Sequence, residues 1–268
     1  ELWSYDGATV SRAADITPGM AAASSLPAGL TLFNNAIYFQ AFEPRGGMEL
    51  WRYDGTTATR AFDVYPGPGS SVPADLTVFN NALYFAADGN DGAGTELWRY
   101  DGTVAARVTD ISVDSSAPAG LTVYNNALYF SCTGNDGFGE ELWRYDGTTA
   151  TRVTDINPIF NSSNPAYLTV YNNALYFQAE DAATGRELWR YDGTTATRLT
   201  DFSGSFNPSY LKVYDGVLYF NAYVSVYGGE LWKYDGTSVT LAANINPGSS
   251  GSNPAGLTVF NNALYFSA

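Results

Sequence analysis

Short runs rich in Val, Leu, Tyr, Phe and Trp, broken at brief intervals by Asn, Asp, Gly, Ser or Pro, fill this chain from end to end. No stretch carries apolar residues at helical spacing over a useful length, so the pattern predicts strands throughout and no helix. One unit shows the scheme. Glu141-Leu142-Trp143-Arg144-Tyr145 reads as a strand, and Asp146-Gly147 as a tight turn, because glycine tolerates positive φ. Residues 149–156 form the returning strand, and a loop rich in Asn, Ser and Pro covers residues 157–166. Residues 168–171 and 174–179 are two further strands joined by a second hairpin turn, Asn172-Asn173. A second loop, residues 180–186, leads into the next unit. Apolar residues fall on both faces of these strands, which fits sheets packed between two neighbours rather than a sheet with one wet side.

The unit recurs. Glu-Leu-Trp-x-Tyr-Asp-Gly occurs six times, starting at Glu1, Glu49, Glu96, Glu141, Glu187 and Glu230, so successive starts lie 48, 47, 45, 46 and 43 residues apart. A strand-rich period of this length, with two tight turns and two longer loops per unit, is that of a propeller blade. The expectation is an all-β protein: one domain, residues 1–268, folded as a six-bladed β-propeller of four-stranded antiparallel blades. The Leu-Thr-Val-Tyr strand should be innermost and the Thr-Arg-Val-Thr-Asp strand outermost. The chain opens with two outer strands, within residues 1–16, and ends with two inner strands, within residues 257–268. Their pairing would close the ring and leave no open edge, with Phe266 and Trp3 in one blade. The alternative is a spacer or filament subunit in which those halves pair between molecules, so that the partner is a second copy. The chain starts inside a repeat and without Met, as expected of a processed or excised piece.

Charge narrows the partners. A formal net charge of −14 repels phosphate backbones and anionic bilayers, so neither nucleic acid nor a membrane is expected as partner. No apolar run approaches the roughly 18 residues that a membrane-spanning helix needs. The single cysteine, Cys132, stands where the other copies have Ala41, Ala87, Ala179, Ala222 and Ala268, and reads as a small buried residue. There is no histidine, which excludes imidazole-based triads and His-ligated zinc.

The run Glu-Leu-Trp-Arg-Tyr-Asp-Gly-Thr, followed by Asp155-Ile156-Asn157-Pro158 and by Leu-Thr-Val-Tyr-Asn-Asn-Ala-Leu-Tyr-Phe, resembles the bacterial ELWxxDGT-repeat proteins over essentially the whole chain. It departs in having Tyr before Asp-Gly, where that family has Ser or Thr. The resemblance implies a secreted or cell-surface bacterial β-propeller and no catalytic residues.

The tight turns hardly differ between copies, whereas the long loops vary freely, so a binding site is expected on the long-loop face. The loop aromatics Phe138, Phe160, Tyr167, Phe206, Tyr223 and Tyr227 are the candidate stacking residues for a glycan or another extracellular macromolecule. Asp88, Asn90, Asp91, Asn135 and Asp136 are candidate calcium ligands, with Glu96 and Glu141 nearby in sequence, although the alternating acids of an EF-hand loop are missing. The repeated tryptophans are expected to fill the gaps between blades. The repeated Glu and the Arg of Thr-Arg-Val are expected to pair within blades, and the Asp ending the outer strand to accept backbone N–H groups. A carbohydrate-active enzyme would need a carboxylate pair. Nearly every acid recurs, however, and the irregular ones (Glu43, Asp75, Asp114, Glu180, Asp181) form no recognisable pair. The leading expectation is a non-catalytic, lectin-like adhesion or binding propeller, made multivalent by its repeats.

Overall fold

The computed structural model describes residues 1–18, 24–158 and 162–268. Among them are twenty-four strands and no helix. β1 (Leu2–Tyr5) and β2 (Val10–Ala14) form a two-stranded antiparallel sheet. Five four-stranded sheets follow, each in sequence order. The first holds β3 (Ala28–Phe33), β4 (Ala36–Glu43), β5 (Gly47–Tyr53) and β6 (Ala58–Phe62). The second holds β7 (Ala74–Phe79), β8 (Ala82–Asp88), β9 (Thr95–Tyr100) and β10 (Ala105–Arg107). The third holds β11 (Ala119–Tyr124), β12 (Ala127–Thr133), β13 (Glu140–Tyr145) and β14 (Ala150–Arg152). The fourth holds β15 (Ala166–Tyr171), β16 (Ala174–Asp181), β17 (Gly185–Tyr191) and β18 (Ala196–Arg198). The fifth holds β19 (Ser209–Tyr214), β20 (Val217–Val224), β21 (Gly228–Tyr234) and β22 (Val239–Ala243). β23 (Ala255–Phe260) and β24 (Ala263–Ser267) form a last two-stranded sheet.

The turns explain the pairing. Asn34-Asn35, Asn80-Asn81, Asn125-Asn126, Asn172-Asn173 and Asn261-Asn262 all have positive φ at both residues, as does Asp215-Gly216. A two-residue hairpin loop of this kind matches the right-handed twist of its strands, and Asn and Gly enter it at the least cost. The Asp-Gly turns are held differently. Asp146 Oδ1 accepts the N–H groups of Thr148 and Thr149 at 2.9 Å each, and the other copies repeat the arrangement. The fourth strand is shorter than the pattern predicts. β14 ends at Arg152, one further bond joins Val153 N–H to the Leu142 carbonyl, and Thr154 then turns its hydroxyl inward to Glu141.

The described chain divides into two compact units, Glu1–Val123 with Tyr145–Ala150, and Tyr124–Arg144 with Thr151–Ala268. Within each, phenylalanine on a second strand lies opposite tryptophan on the third: Phe39 with Trp51 and Phe85 with Trp98 in the first, Phe177 with Trp189 and Phe220 with Trp232 in the second. Tyrosines then link one sheet to the next. Tyr38 meets Tyr100 at 5.6 Å and Tyr84 meets Tyr145 at 6.0 Å in the first unit. In the second, Tyr129 meets Tyr191 at 5.8 Å and Tyr176 meets Tyr234 at 5.6 Å. These tilted rings are the geometry aromatic pairs prefer. Trp51, Trp98, Trp143 and Trp232 are buried and Trp189 is partly buried, as expected, whereas Trp3, against expectation, is 58% exposed; Cys132 is fully buried.

Among the described residues the expected closing sheet is not formed. Trp3 and Leu2 belong to the β1–β2 sheet, Phe266 and Leu264 to the β23–β24 sheet, and no strand joins them. Each half survives because its own turn fixes its hairpin. Pairing β24 with β1 would require the two chain ends to meet, and no local signal enforces that.

Candidate functional site

The repeated glutamate is not a surface ion-pair partner. Glu49, Glu96, Glu141, Glu187 and Glu230 are all fully buried. Each reaches across its sheet to the loop that follows the fourth strand. Glu49 accepts Val64 N–H at 2.8 Å, Ser71 N–H at 3.0 Å and the Ser71 hydroxyl at 2.7 Å. Glu141 accepts the Thr154 hydroxyl at 2.9 Å and Ser163 N–H at 3.2 Å, and Glu230 accepts Ser252 N–H at 3.1 Å and its hydroxyl at 2.8 Å. Burial pushes the carboxyls of Glu49, Glu141 and Glu187 up from the ordinary glutamate range, against the pull of these donors. The glutamate thus fixes the long loops, a role the sequence reading missed. A Thr thirteen residues after Glu96, Glu141 and Glu187 and a Ser twenty-two residues after Glu49, Glu141 and Glu230 were the available signal.

The arginines pair with aspartate instead. Arg60, Arg107, Arg152 and Arg198 contact Asp63, Asp110, Asp155 and Asp201 three residues on, and each also takes an acid from the end of the second strand, Glu43 or Asp181, or from the loop after it, Asp91 or Asp136. Arg12 also lies 3.9 Å from a glutamate of the motif, Glu1. This explains why the fifth four-stranded sheet loses both partners together, with Leu241 for Arg and Asn244 for Asp.

These contacts decide the calcium candidates. Asp91 and Asp136 each direct Oδ2 to an arginine Nε, at 2.9 and 2.7 Å, and Oδ1 to an amide of their own loop. Asp88 accepts Asn90 N–H at 2.8 Å, Asn90 is an exposed turn residue with φ 56°, and Asn135 is exposed. Among the described residues no group of three or more metal-ligating side chains converges. The donor set therefore does not fit calcium, because a guanidinium already neutralises the best carboxylates. The irregular acids are dispersed too. Glu43, Asp181 and Glu180 pair with Arg60, Arg198 and Arg186, and Asp75 accepts Gly120 N–H at 2.6 Å. The three acids with raised pKa values lie beneath the surface, out of reach of a substrate.

The aromatic candidates separate into three kinds. Phe206 is a core residue, 0% exposed, stacked on Phe202 at 4.3 Å and edge-on to Trp232 at 5.1 Å. It stands where the other units have the glutamate-binding serine, and it is corrected here from ligand contact to packing. Phe138 lies half-buried beneath the Arg152 guanidinium at 4.0 Å, and Tyr227 packs near Trp232 at 6.4 Å, so both serve the scaffold. Phe160 lies outside the described residues. Tyr223 is exposed.

Tyr167 is exposed as well, and it has an unforeseen partner. Tyr167 and Tyr210 are 41% and 42% exposed, with ring centroids 5.4 Å apart. They are the second residues of β15 and β19, and their φ angles are +58° and +55°. The same position holds Gly29, Asp75, Gly120 and Gly256 elsewhere, all at positive φ. A bulge there shifts the strand register, between Ala166 and Thr169 and between Ser209 and Lys212. Left-handed backbone suits glycine and costs a bulky side chain about 1–2 kcal/mol. β19 departs from the repeat at two further places. Ser209 replaces alanine and accepts Asn221 Nδ2 at 3.2 Å, and Lys212 replaces the threonine that elsewhere donates to the next first strand, as Thr169 does to Leu211 at 3.3 Å. An amide thus bonds the residue before Tyr210, and a cation stands two residues after it in the chain. In the first unit an open cleft of about 530 Å³ is lined by Asp91, Trp98, Arg107, Thr109 and Asp110, where the charges are mutually paired.

No protein-family model and no curated protein matches the sequence. Solved structures do. One comes from a study of two prolyl endopeptidases, with a TM-score of 0.60 and 11% identity over 90% of this chain and 39% of that one. The β-propeller domain of the Trilobed protease from Pyrococcus furiosus, described as having an open velcro topology, matches with a TM-score of 0.50 and 11% identity over 77% of this chain and 65% of that one. Puromycin hydrolase matches with a TM-score of 0.55 and 14% identity over 81% of this chain and 39% of that one. This chain spans less than two thirds of the length of each. The likeness shows the fold: an all-β repeat protein of β-propeller architecture.

Proposed function

We propose that this chain is a non-catalytic extracellular binding propeller of the ELWxxDGT-repeat kind, secreted by or displayed on a bacterium, which recognises a glycan through the Tyr167–Tyr210 platform. One observation carries the reading. Two exposed tyrosines occupy a left-handed backbone position that the other repeats give to glycine or, once, to Asp75, at a cost of about 1–2 kcal/mol each. Strain of this sort is retained where a surface is used, and paired tyrosines offer an amphipathic face to the C–H side of a sugar ring. Asn221, Ser209 and Lys212 supply polar and cationic neighbours. We further read the six repeats as six blades, five complete and the sixth supplied by β23–β24 and β1–β2.

The test is a glycan array on the purified protein, with and without chelator, beside the double variant Tyr167→Asn/Tyr210→Asn. Asparagine tolerates left-handed backbone, so the variant removes the rings and keeps the bulge. Binding that is lost in the variant and indifferent to chelator is expected. A wild-type protein that binds no glycan, or a variant that binds equally well, would sink the reading.

A further inference from the structure

The two unpaired half-sheets are built for each other. In the fifth four-stranded sheet, Leu218 lies opposite Tyr234, Tyr219 opposite Lys233, Phe220 opposite Trp232 and Asn221 opposite Leu231. The first four-stranded sheet repeats this with Ile37–Tyr53, Tyr38–Arg52, Phe39–Trp51 and Gln40–Leu50. β24 and β1 carry the same residue types in the same order, so the same register would set Leu264 against Tyr5, Tyr265 against Ser4, Phe266 against Trp3 and Ser267 against Leu2. Both edges are open in the lone chain, and the side chains that such a sheet buries are bare. Trp3 is 58% exposed where Trp51 is 5%, and Tyr265 is 55% exposed where Tyr38 is 3%. Exposed apolar surface and an unpaired edge on matching strands together form a docking surface.

We infer that β24 of one molecule pairs with β1 of a second copy, so that a complete four-stranded blade forms across the junction of two chains. The occupant of each open edge is the complementary end of another molecule. The junction is head-to-tail: β23–β24 of the first chain and β1–β2 of the second make one antiparallel sheet. It buries Trp3 against Phe266, the pairing that Phe39–Trp51, Phe85–Trp98, Phe177–Trp189 and Phe220–Trp232 make in complete sheets. Tyr5 also gains the kind of neighbour its equivalents have. Tyr100 and Tyr234 each meet a tyrosine of the preceding sheet, and the counterpart for Tyr5 is Tyr219 of the first chain. Because each copy keeps one free end of each kind, the contact is heterologous and propagates to higher oligomers unless a ring closes.

This inference rests on the six-blade reading, and cross-linking separates the two. Ser4→Cys and Tyr265→Cys are introduced into a Cys132→Ala background, alanine being the residue of the other repeats. Opposed residues of an antiparallel pair have Cα atoms about 4.5–5.5 Å apart, within the span of a disulfide. Chains carrying only Ser4→Cys are mixed with differently tagged chains carrying only Tyr265→Cys, then oxidised. The expected product is a species of two chains containing both tags, absent when either variant is oxidised alone. The double variant should give a ladder of multiples of 28.8 kDa on a non-reducing gel. A double variant that closes wholly within one chain, with no mixed product, keeps the six-blade reading and overturns the exchange. No cross-link in either experiment, with circular dichroism unchanged, overturns both. Ser4 and Tyr265 are exposed, so neither substitution disturbs the core.

Discussion

Replacing Phe206 by serine and by alanine tests how the long loops are held. Phe206 occupies the serine position of its repeat, and its backbone follows the same course. Tyr223 N–H bonds its carbonyl at 2.7 Å, as Asp88 N–H bonds that of Ser71 at 3.0 Å. Glu187 takes the Thr200 hydroxyl on Oε2, the oxygen that in Glu49 and Glu230 receives the serine hydroxyl, while its buried Oε1 makes no close hydrogen bond. Phe206→Ala removes a fully buried ring in contact with Phe202, Phe220 and Trp232 and should cost about 3–5 kcal/mol. Serine leaves nearly the same cavity. In an ordinary apolar site its hydroxyl would be a further penalty of about 1–3 kcal/mol. Here it is brought near the Glu187 carboxylate, whose Oε1 makes no close hydrogen bond, and a bond to that charged acceptor is worth about 1.5–3 kcal/mol. Phe206→Ser should therefore be more stable than Phe206→Ala by about 1–2 kcal/mol, and Ser71→Ala should lose a similar amount in its own sheet. Denaturant unfolding followed by far-UV circular dichroism reads both differences. The assignment of the glutamates as loop anchors is refuted if serine proves equal to alanine or worse at position 206 while Ser71→Ala is neutral.

Further outcomes follow from the same structure. A Cβ at Gly134 would clash with Cζ2 of Trp143, and one at Gly89 with Cζ2 of Trp98, so Gly134→Ala and Gly89→Ala should each lower stability by about 1–3 kcal/mol; a neutral result for both would show that the rings yield. Tyr167→Asn/Tyr210→Asn should leave the unfolding free energy within about 1 kcal/mol of the parent, since relief of strain offsets the lost ring contact, and a larger loss would make the platform structural. Stability should also depend on pH in two opposed ways. The raised carboxyls of Glu49, Glu141 and Glu187 contribute fully below their ordinary value of 4.5, and that contribution is lost as pH rises through their folded values. The turn aspartates are lowered chiefly by backbone N–H groups, to about 2 for Asp101 and Asp192. Their contribution is present above 3.8 and is lost as pH falls through about 2. The melting temperature should peak near about pH 4 and decline toward neutrality, more shallowly in Glu49→Gln/Glu141→Gln, with the difference surviving high salt. A melting temperature that climbs steadily from pH 4 to 7 would contradict it.

Local chemistry determined much of this protein from its sequence alone. The recurring Glu-Leu-Trp and Asn-Asn segments specify strands, turns and period, because a hairpin is decided by residues that are neighbours in the chain. The burial of the tryptophans in the four-stranded sheets was legible for the same reason: each such sheet needs a large side chain at mid-strand, whereas the exposure of Trp3 in its two-stranded sheet was not. The fate of the irregular residues was not. Phe206, Tyr167 and Tyr210 look alike as aromatic departures from the repeat, yet Phe206 fills a vacated serine site, while the two tyrosines stand exposed on a bulge. Tyr210 went unnoticed as part of a strand, and only its left-handed backbone and its approach to Tyr167 from a separate sheet set it apart. The glutamates and aspartates exchange their expected roles because a carboxylate can be buried where amides and hydroxyls converge on it, and that convergence brings together residues some 13 to 22 positions apart. Whether the ends of the chain pair is likewise undecided by their sequences, which specify the register of a shared sheet but not whose strand completes it. Register is a matter of side-chain order along a strand, whereas the partner depends on where the rest of each molecule carries its ends.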